Sequence, residues 1–203
     1  KLQERKHWLN DDYVKFIAFA QDMVDKSNSG IVAFITNNGF IDNTTFRGMR
    51  WSLRKSFDKI YILDLHGNAK KKETTPEGNK DENVFDIMQG VSIILAIKKS
   101  QSKEQAKIYH SEIFGLRKEK FFILRSSKIK WVEIIPDEKN IYFVPKDNSG
   151  LEEYEKGFKV NELFVKNKTG IVTMGDNFAI ADSQEVISKR IKKLVRNEYT
   201  KQE

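Results

Sequence analysis

The sequence contains no cysteine among its 203 residues. This absence excludes disulfides, thiolate metal sites and cysteine nucleophiles, and it fits an intracellular protein, so we expect a cytoplasmic location. Long apolar runs are missing as well. The longest, Ile31 to Ile35 and Val91 to Ile97, have the length of strands and fall far short of the roughly 20 residues of a membrane-spanning helix. The charged opening leads into an amphipathic segment, so we expect no signal peptide.

Several patterns that indicate catalysis are also absent. The only prolines are Pro76, Pro136 and Pro145, so the chain has no Pro-Pro pair. The three histidines lack metal-ligand spacing, and we expect no metal site. No Ser-His-Asp arrangement and no acidic-lysine nuclease motif can be recognised. Asp11 and Asp12 would point about 100° apart on a helix, so we interpret them as capping residues and not as a catalytic pair.

Basic residues outnumber acidic ones, with 36 Lys and Arg against 29 Asp and Glu and a net charge of +7. Such a balance favours a polyanionic partner, although the charge can also serve only to keep a protein soluble. The excess is uneven, because residues 101–130 contain eight Lys and Arg against three Glu. Nucleic-acid binding is therefore a hypothesis that the composition favours without deciding it.

Apolar spacing in the first half predicts alternating helices and strands. Helical spacing indicates one helix over Asn10 to Lys26 and a second with Phe46, Met49, Leu53 and Phe57 on its buried face. Gly30 to Thr36 and Lys59 to Leu65 have the pattern of strands. Because a strand–helix–strand unit with short connections is right-handed, we expect these two strands to be parallel.

The apolar run Val91 to Ile97 predicts a strand that is buried on both faces. The charged segment His66 to Asn83 before it shows no helical spacing and is interpreted as a loop. Since no crossover helix fits there, the strand should run antiparallel to its predecessor and end the sheet. The prediction is an α/β sheet with a reversed last strand.

From Ala106 onwards we predict a small, mostly β appendage. IYHSEIFG, KEKFFILR, IKWVEIIP and IYFVPKD are strand candidates, GLEEYEKGFKVNELF predicts one short helix, and Asp182 to Tyr199 has the spacing of a final amphipathic helix. The junction is placed at Ser100 to Gln105, which divides the chain into residues 1–104 and 105–203.

Four segments occur in a characteristic order: WLNDDYVKFIAFAQ, GIVAFITNNGFIDNTTFRGMR, FDKIYILDLHGN and DENVFDIMQGVSI. Together they resemble the part that follows the catalytic motif in adenine-specific DNA methyltransferases of bacterial restriction–modification systems, in particular large single-chain enzymes. The likeness is close from Trp8 to about Gly115 and looser up to GIVTMGDNFAI. It implies the carboxyl-side half of a Rossmann-like methyltransferase sheet with a reversed last strand, followed by an α+β appendage that begins a target-recognition or coupling region.

The resemblance implies double-stranded DNA as the partner and S-adenosylmethionine as the cofactor of the parent enzyme. Family members hold the cofactor at a glycine-rich turn and grip a flipped adenine with an Asn or Asp-Pro-Pro-Tyr or Phe motif. This chain has neither motif, and it begins with Lys1 instead of Met. We therefore expect an inactive fragment that works with the remainder of its parent polypeptide, and whose exposed sheet edge favours dimerisation.

Phe85 lies among acidic and amide residues on the approach to the strand at Val91. Its position alone allows two interpretations, a lid on the core or a ring presented at the mouth of the strand. In the family that the chain resembles, an aromatic residue just before the final antiparallel strand stacks on the flipped base. The resemblance assigns this role to Phe85.

Arg47 and Arg50 lie one turn apart on the second helix, on the side predicted to face away from Phe46 and Leu53. They would contact DNA phosphates or simply form a solvated helix face. Asn37 and Asn38 follow a strand at the edge where α/β sheets bind ligands. They would line a pocket or form the turn before Gly39.

Two further groups of basic residues are candidates for DNA contacts. An exposed lysine run is usually only solvated, but in a loop beside a DNA site it would act as a phosphate clamp. The second group begins the appendage and is interleaved with Phe121, Phe122 and Trp131. The candidates are Lys70, Lys71 and Lys72 in the loop, and Arg117, Lys118 and Lys120 in the appendage.

Two other functions remain open at this point. In one, the sheet is a scaffold and the appendage carries all contacts of a non-catalytic DNA-binding module. In the other, the chain is a protein-interaction domain that binds no DNA, and its charge only keeps it soluble.

Overall fold

A five-stranded mixed sheet runs through the first part of the computed structural model, which describes residues 7–99, 104–126, 128–164, 166 and 175–196. The strands are β1 (Gly30–Asn37), β2 (Lys59–Asp64), β3 (Val91–Lys98), β4 (Lys107–Glu112) and β5 (Val132–Ile134). Their order across the sheet is β1-β3-β2-β4-β5. The chain forms two compact units, Lys1–Asp147 and Asn148–Glu203, and the sheet belongs to the first.

The strand directions confirm the α/β prediction, while the place of β3 corrects it. β3 runs antiparallel to both β1 and β2, so β1 and β2 are parallel to each other as expected. However, β3 lies between them and does not end the sheet, which continues through β4, parallel to β2, and β5. On one face of β3, Ile94 and Ala96 are buried in the core, whereas Ile93, Leu95 and Ile97 on the other face are only partly buried, so the predicted burial of both faces is incomplete.

One face of the sheet is covered by the predicted helices, α1 (Asp12–Ser27) and α3 (Arg47–Ser56). Ile17 of α1 and Leu53 of α3 are almost fully buried, together with Ile60, Ile62, Ile94, Ala96 and Ile108 of the strands. A one-turn helix, α2 (Gly39–Asp42), and a 3-10 turn at Thr44–Phe46 connect β1 to α3. Further 3-10 turns lie at His7–Asn10 and Ala69–Lys71.

A fourth helix, α4 (Arg117–Ser126), occupies a segment that was predicted to be a strand. Ile123 and Leu124 pack on a second apolar cluster formed by Leu63, Leu65, Val84, Val91 and Ile113. The inward-facing residue one turn earlier is Lys120, which is fully buried. A lysine at a buried position hides the helical apolar spacing, and for this reason the strand prediction was wrong.

The segment IYFVPKD is not a strand either. Its backbone is held at single points, such as Phe143 N donating to Ile41 O at 2.9 Å, and Ile141 and Phe143 point into the core. The apolar alternation in this segment therefore reflects side chains that point into the core, and not pairing with a neighbouring strand. The first compact unit extends to Asp147 and so ends well after the predicted junction. The reason is that β4, which follows the junction, pairs with β2 of the same sheet. Ser100 to Lys103 lie outside the described residues, and the functional division at residue 104 stays a prediction.

The second unit contains four short helices in its described part: α5 (Leu151–Glu155), α6 (Val160–Leu163), α7 (Asp176–Ala179) and α8 (Gln184–Val195). Two helices therefore stand where one was predicted, and the final amphipathic helix is confirmed. Ser183 caps α8 through its hydroxyl, and Arg190 donates to the carbonyls of Phe178 and Ile180. The part of GIVTMGDNFAI that precedes Gly175, residues 170–174, lies outside the described residues. No helix in the described ranges is long and apolar enough to cross a membrane.

The outer edge of β1 has no strand partner among the described residues. Ile31 and Ile35, on the sheet face opposite α1 and α3, are 65% and 55% exposed. Apolar side chains are thus exposed on the strand at this edge, and dimerisation through the edge stays a prediction.

Arg50 connects several of these segments from the interior. Its guanidinium is fully buried and donates to four backbone carbonyls, those of Ile141, Phe40, Asn43 and Asn140, at 2.6–2.8 Å. Burial lowers the pKa of Arg50 to about 10. The prediction of a solvated or phosphate-binding side chain is corrected, because a guanidinium without exposed surface cannot reach DNA.

We expect Arg50→Met to lower the free energy of unfolding by at least about 3 kcal/mol, because buried carbonyls would lose their donors. Urea unfolding followed by circular dichroism measures this loss. Arg125→Met, at an exposed position of α4, is the matched control and should change stability by less than about 0.5 kcal/mol. Equal effects of the two changes would contradict a central role for Arg50.

Candidate functional site

Phe85 lies in an irregular segment, residues 81–90, that leads into β3. Its ring is 45% exposed, and the neighbouring Ile87 and Met88 are also exposed. The backbone beneath the ring is held firmly: Phe85 N donates to Asn83 Oδ1 at 2.9 Å, and Asn83 Nδ2 donates to Gly67 O and Gln89 O. The ring is therefore presented to solvent from an ordered loop, which we call the Phe85 loop.

Arg117, at the start of α4, supports the Phe85 loop from the side. Its Nε donates to Asn83 O at 2.7 Å, and its Nη2 donates to Phe85 O at 2.9 Å and to Asp86 Oδ1 at 2.7 Å. The structure thus brings the predicted residues Phe85 and Arg117 into contact. Because the guanidinium already serves the loop, its first role is to position Phe85, and a phosphate contact would compete with Asp86.

A buried ion pair joins the first residue of the Phe85 loop, Asp81, to Lys120 of α4. Lys120 Nζ lies 2.8 Å from Asp81 Oδ1, and both side chains have no exposed surface. The ammonium also donates to Leu65 O and Glu82 O, each at 2.7 Å. The carboxylate accepts hydrogen bonds from Gly67 N and Gly115 N at 2.7 and 2.8 Å. Lys120 is therefore corrected from a DNA contact to a structural residue beneath the Phe85 loop.

The remaining basic candidates are accessible. Lys70, Lys71 and Lys72 are exposed on the 3-10 turn Ala69–Lys71 and its C-cap, shortly after β2, and Lys118 is exposed on α4. Asn68 caps the turn by accepting a hydrogen bond from Lys71 N. Exposed lysines on an ordered turn are free to meet phosphates, and their role as DNA contacts stays a prediction.

Asn37 and Asn38 have different roles in the structure. Asn37 Oδ1 accepts a hydrogen bond from Gly39 N at 2.7 Å, which is the turn-forming role. Asn38 is buried, and its Nδ2 donates to Asp64 Oδ1 at 3.0 Å. Its backbone N–H donates to Gly90 O, the end of the Phe85 loop. A Cβ at Gly90 would lie 2.6 Å from Asn38 Nδ2, so only glycine allows this close approach.

A polar cluster at the same edge of the sheet was missed by the sequence analysis. Besides Asn38, Asp64 Oδ1 accepts a hydrogen bond from His66 N at 3.0 Å, and His66 Nε2 lies 3.3 Å from Glu112 Oε2. The ring of His66 stacks on Phe114 with 3.9 Å between centroids, and its backbone has a positive φ of 52°. A non-glycine residue held in this conformation is a feature of functional sites.

Asn38, Asp64, His66 and Glu112 line a cavity of about 240 Å³ whose wall also includes His110. His110 is 3% exposed, and its Nε2 has no hydrogen-bond partner among the described residues. Burial lowers the pKa of His110 despite the nearby carboxylates of Glu112 and Asp64. Within the described residues, no group of three or more His, Asp or Glu side chains has the geometry of a metal site. The cluster was hidden from the sequence because it depends on the pairing of β2 with β4.

Arg47 lies apart from the Phe85 loop, on the outer side of α3. Its Nε donates to the carbonyl of Lys139, so it remains at the surface, unlike Arg50. Four of the predicted site residues therefore lie around the loop, namely Phe85, Arg117, Lys120 and Asn38, whereas Arg47 lies beside a separate basic surface.

Comparisons with known proteins give structural neighbours only. No protein-family model matches the chain, and no curated protein matches it. The ATP-dependent Type ISP restriction-modification enzyme LlaBIII, bound to DNA, matches 93% of the chain with 32% identity and a TM-score of 0.67. The DrdV–DNA complex matches 98% with 26% identity and a TM-score of 0.67. A nuclease-deletion mutant of the Type ISP enzyme LlaGI, with a DNA substrate mimic, matches 93% at 24% identity and a TM-score of 0.63, which shows the fold alone.

The chain is similar to one segment of the restriction–modification enzyme LlaBIII and to one segment of the DrdV chain. It spans 13% of the LlaBIII chain and 22% of the DrdV chain. These likenesses support the prediction that it is part of such an enzyme, and the five-stranded mixed sheet is consistent with a Rossmann-like fragment.

We expect Lys120→Met to destabilise the protein by about 3–5 kcal/mol, because it leaves the carboxylate of Asp81 buried without its partner. Hydrogen exchange should increase first in the Phe85 loop, whose anchor is lost. The control is Lys118→Met, at an exposed position two residues away, with an expected effect below about 0.5 kcal/mol. If both variants are equally stable, the buried pair does not hold the loop.

His110 should make stability depend on pH in a defined direction. The pKa of His110 in the folded state lies below the ordinary value of 6.5. At higher pH the imidazole is neutral in both the folded and the unfolded protein, so it does not lower the free energy of unfolding. As the pH falls below 6.5, the unfolded state takes up a proton first and stability is lost. His110→Gln should flatten the dependence of the unfolding free energy on pH between about 7 and 5. An unchanged profile would show that His110 is not the group responsible.

Proposed function

We propose that this chain is the carboxyl-side part of the DNA adenine methyltransferase domain of a bacterial restriction–modification enzyme, and that it contacts double-stranded DNA. The observation that carries the proposal is the Phe85 loop, an ordered segment that presents an exposed aromatic ring at the mouth of β3. The neighbours LlaBIII and DrdV, whose structures contain DNA, support DNA as the partner.

Phe85 would stack on a base that has left the duplex. An enzyme that modifies the amino group of adenine needs this extrusion, because the group is inaccessible inside the base stack. A base–aromatic stack is worth about 1–3 kcal/mol and requires a ring whose position is fixed in advance. Asn83 and Arg117 fix the loop backbone while the ring stays accessible, which is the arrangement that such a role needs.

The transfer of the methyl group belongs to the remainder of the parent. The motifs that would hold S-adenosylmethionine and the flipped adenine in the family that the chain resembles, a glycine-rich turn after a strand and a Pro-Pro pair, are absent from this sequence. We therefore assign no step of the transfer to the residues of this chain. Exposed Lys70, Lys71, Lys72 and Lys118 would meet phosphates, which position the duplex without reading its sequence.

The test measures binding of the 203-residue chain to two short duplexes. One duplex is intact, and the other, the gapped duplex, has an abasic site opposite adenine in place of thymine, which lowers the cost of extruding that adenine. We expect tighter binding to the gapped duplex, and Phe85→Ala should remove about 1–3 kcal/mol of that preference, roughly 5- to 150-fold in Kd. The control is Met88→Ala, an exposed apolar neighbour, which should keep the preference.

Other outcomes would select the rival functions. Equal and salt-sensitive binding of both duplexes by wild type and Phe85→Ala would leave a basic DNA-binding module. A complete lack of binding at low salt would reject DNA contact by this chain and favour a protein-interaction domain.

A further inference from the structure

A groove of about 400 Å³ lies on the outer side of α3, apart from the Phe85 loop. Helical spacing places Arg47, Trp51, Arg54 and Lys55 along one side of it, and the segment after β5 forms the other side. Only Arg47 was singled out from the sequence. Glu138 is the one acidic residue that lines the groove within the described chain. We call this feature the α3 groove.

The cations of the α3 groove are held by uncharged groups. The Nε of Arg47 donates to the carbonyl of Lys139, and the ammonium of Lys55 lies 4.2 Å from the centre of the Trp51 ring. Within the described residues, neither side chain forms an ion pair with a carboxylate. Their positions are thus restricted in advance while their charges stay uncompensated, which reduces the entropy cost of binding an anion.

Arg54 adds an unused hydrogen-bond donor to the same groove. Its Nε is buried, and no acceptor for it exists among the described residues. A buried donor without a partner is unfavourable, so Arg54 Nε calls for an acceptor from outside the described residues. An oxygen of an anion in the groove would supply it, and the planar guanidinium suits phosphate in particular.

We propose that the α3 groove binds a phosphodiester group of a nucleic-acid strand. This inference rests on the proposed function and extends the DNA contact from the Phe85 loop to a second surface. Three cations in one concavity suit a phosphate with its neighbouring sugars better than a single carboxylate. The net charge of +7 and the DNA in the neighbouring structures favour nucleic acid over an acidic protein as the source of the anion.

The first experiment measures the salt dependence of binding to a duplex by fluorescence anisotropy. Each lost phosphate contact lowers the slope of log K against log salt by about one. The double variant Arg54→Gln, Lys55→Gln should therefore reduce the slope by about one and weaken binding at least tenfold at low salt. Lys26→Gln, which removes an exposed charge on α1, is the control and should keep the slope. An unchanged slope in the double variant would overturn the inference.

Two further variants keep the test valid if Arg54→Gln disturbs the fold. Lys55→Gln alone changes an exposed residue and should reduce the slope by part of the amount lost in the double variant. Arg54→Lys retains the charge without the buried Nε donor and should keep most of the slope. If Lys55→Gln has no effect and Arg54→Lys binds like Arg54→Gln, the groove is not an electrostatic phosphate site.

The second experiment separates this inference from the proposed function. The indole N–H resonance of Trp51 is followed while inorganic phosphate, a short single-stranded oligonucleotide or polyglutamate is added. Saturable shifts with phosphate and oligonucleotide, lost in Arg54→Gln, support the groove even if Phe85→Ala leaves the preference for gapped DNA unchanged. A shift with polyglutamate alone would overturn the proposal and indicate an acidic protein. If duplex binding depends on Phe85 but the Trp51 resonance does not shift, the proposed function is supported and the α3 groove is rejected as a phosphate site.

Discussion

The ammonium of Lys120 and the carboxylate of Asp81 meet in the interior, at the point where three segments join. Through its other hydrogen bonds, the pair connects the end of β2, the start of the Phe85 loop and the turn before α4. A buried pair of this kind adds little net stability compared with an apolar contact, but it allows only one arrangement of its partners. The order of the Phe85 loop depends on it, and so does the accessibility of the ring.

Arg50 does the same for the opposite part of the sheet. It joins α2, the turn before α3 and residues 140–141 through carbonyl oxygens, so its burial is matched by hydrogen bonds and not by a second charge. Both buried cations therefore organise irregular backbone that has no ladder of its own to satisfy it. The basic residues that remain at the surface, on the turn after β2, on α4 and in the α3 groove, are those that can serve binding.

The candidate sites share a physical logic. At the Phe85 loop, hydrogen bonds fix the backbone and leave an apolar ring in solvent. In the α3 groove, a carbonyl and an indole fix cations and leave their charges uncompensated. In each case contacts within the chain already restrict the groups that a ligand would touch, so binding loses less conformational entropy. The polar cluster around Asp64 and His66 has similar order, but its cavity offers both acidic and basic groups and specifies no ligand.

The sequence by itself determined the α/β class, the helices α1, α3 and α8, the reversal of β3 and the position of Phe85 before it, because these depend on local apolar spacing and chain order. Tertiary structure decided which basic residues are buried. Arg50 and Lys120 lie at helical spacing from buried apolar residues, but only distant carbonyls and Asp81 make the burial of a cation there favourable. It also decided that β3 lies inside the sheet and that Asp64, His66, His110 and Glu112 meet, since strand order and the β2–β4 pairing join residues far apart in the chain.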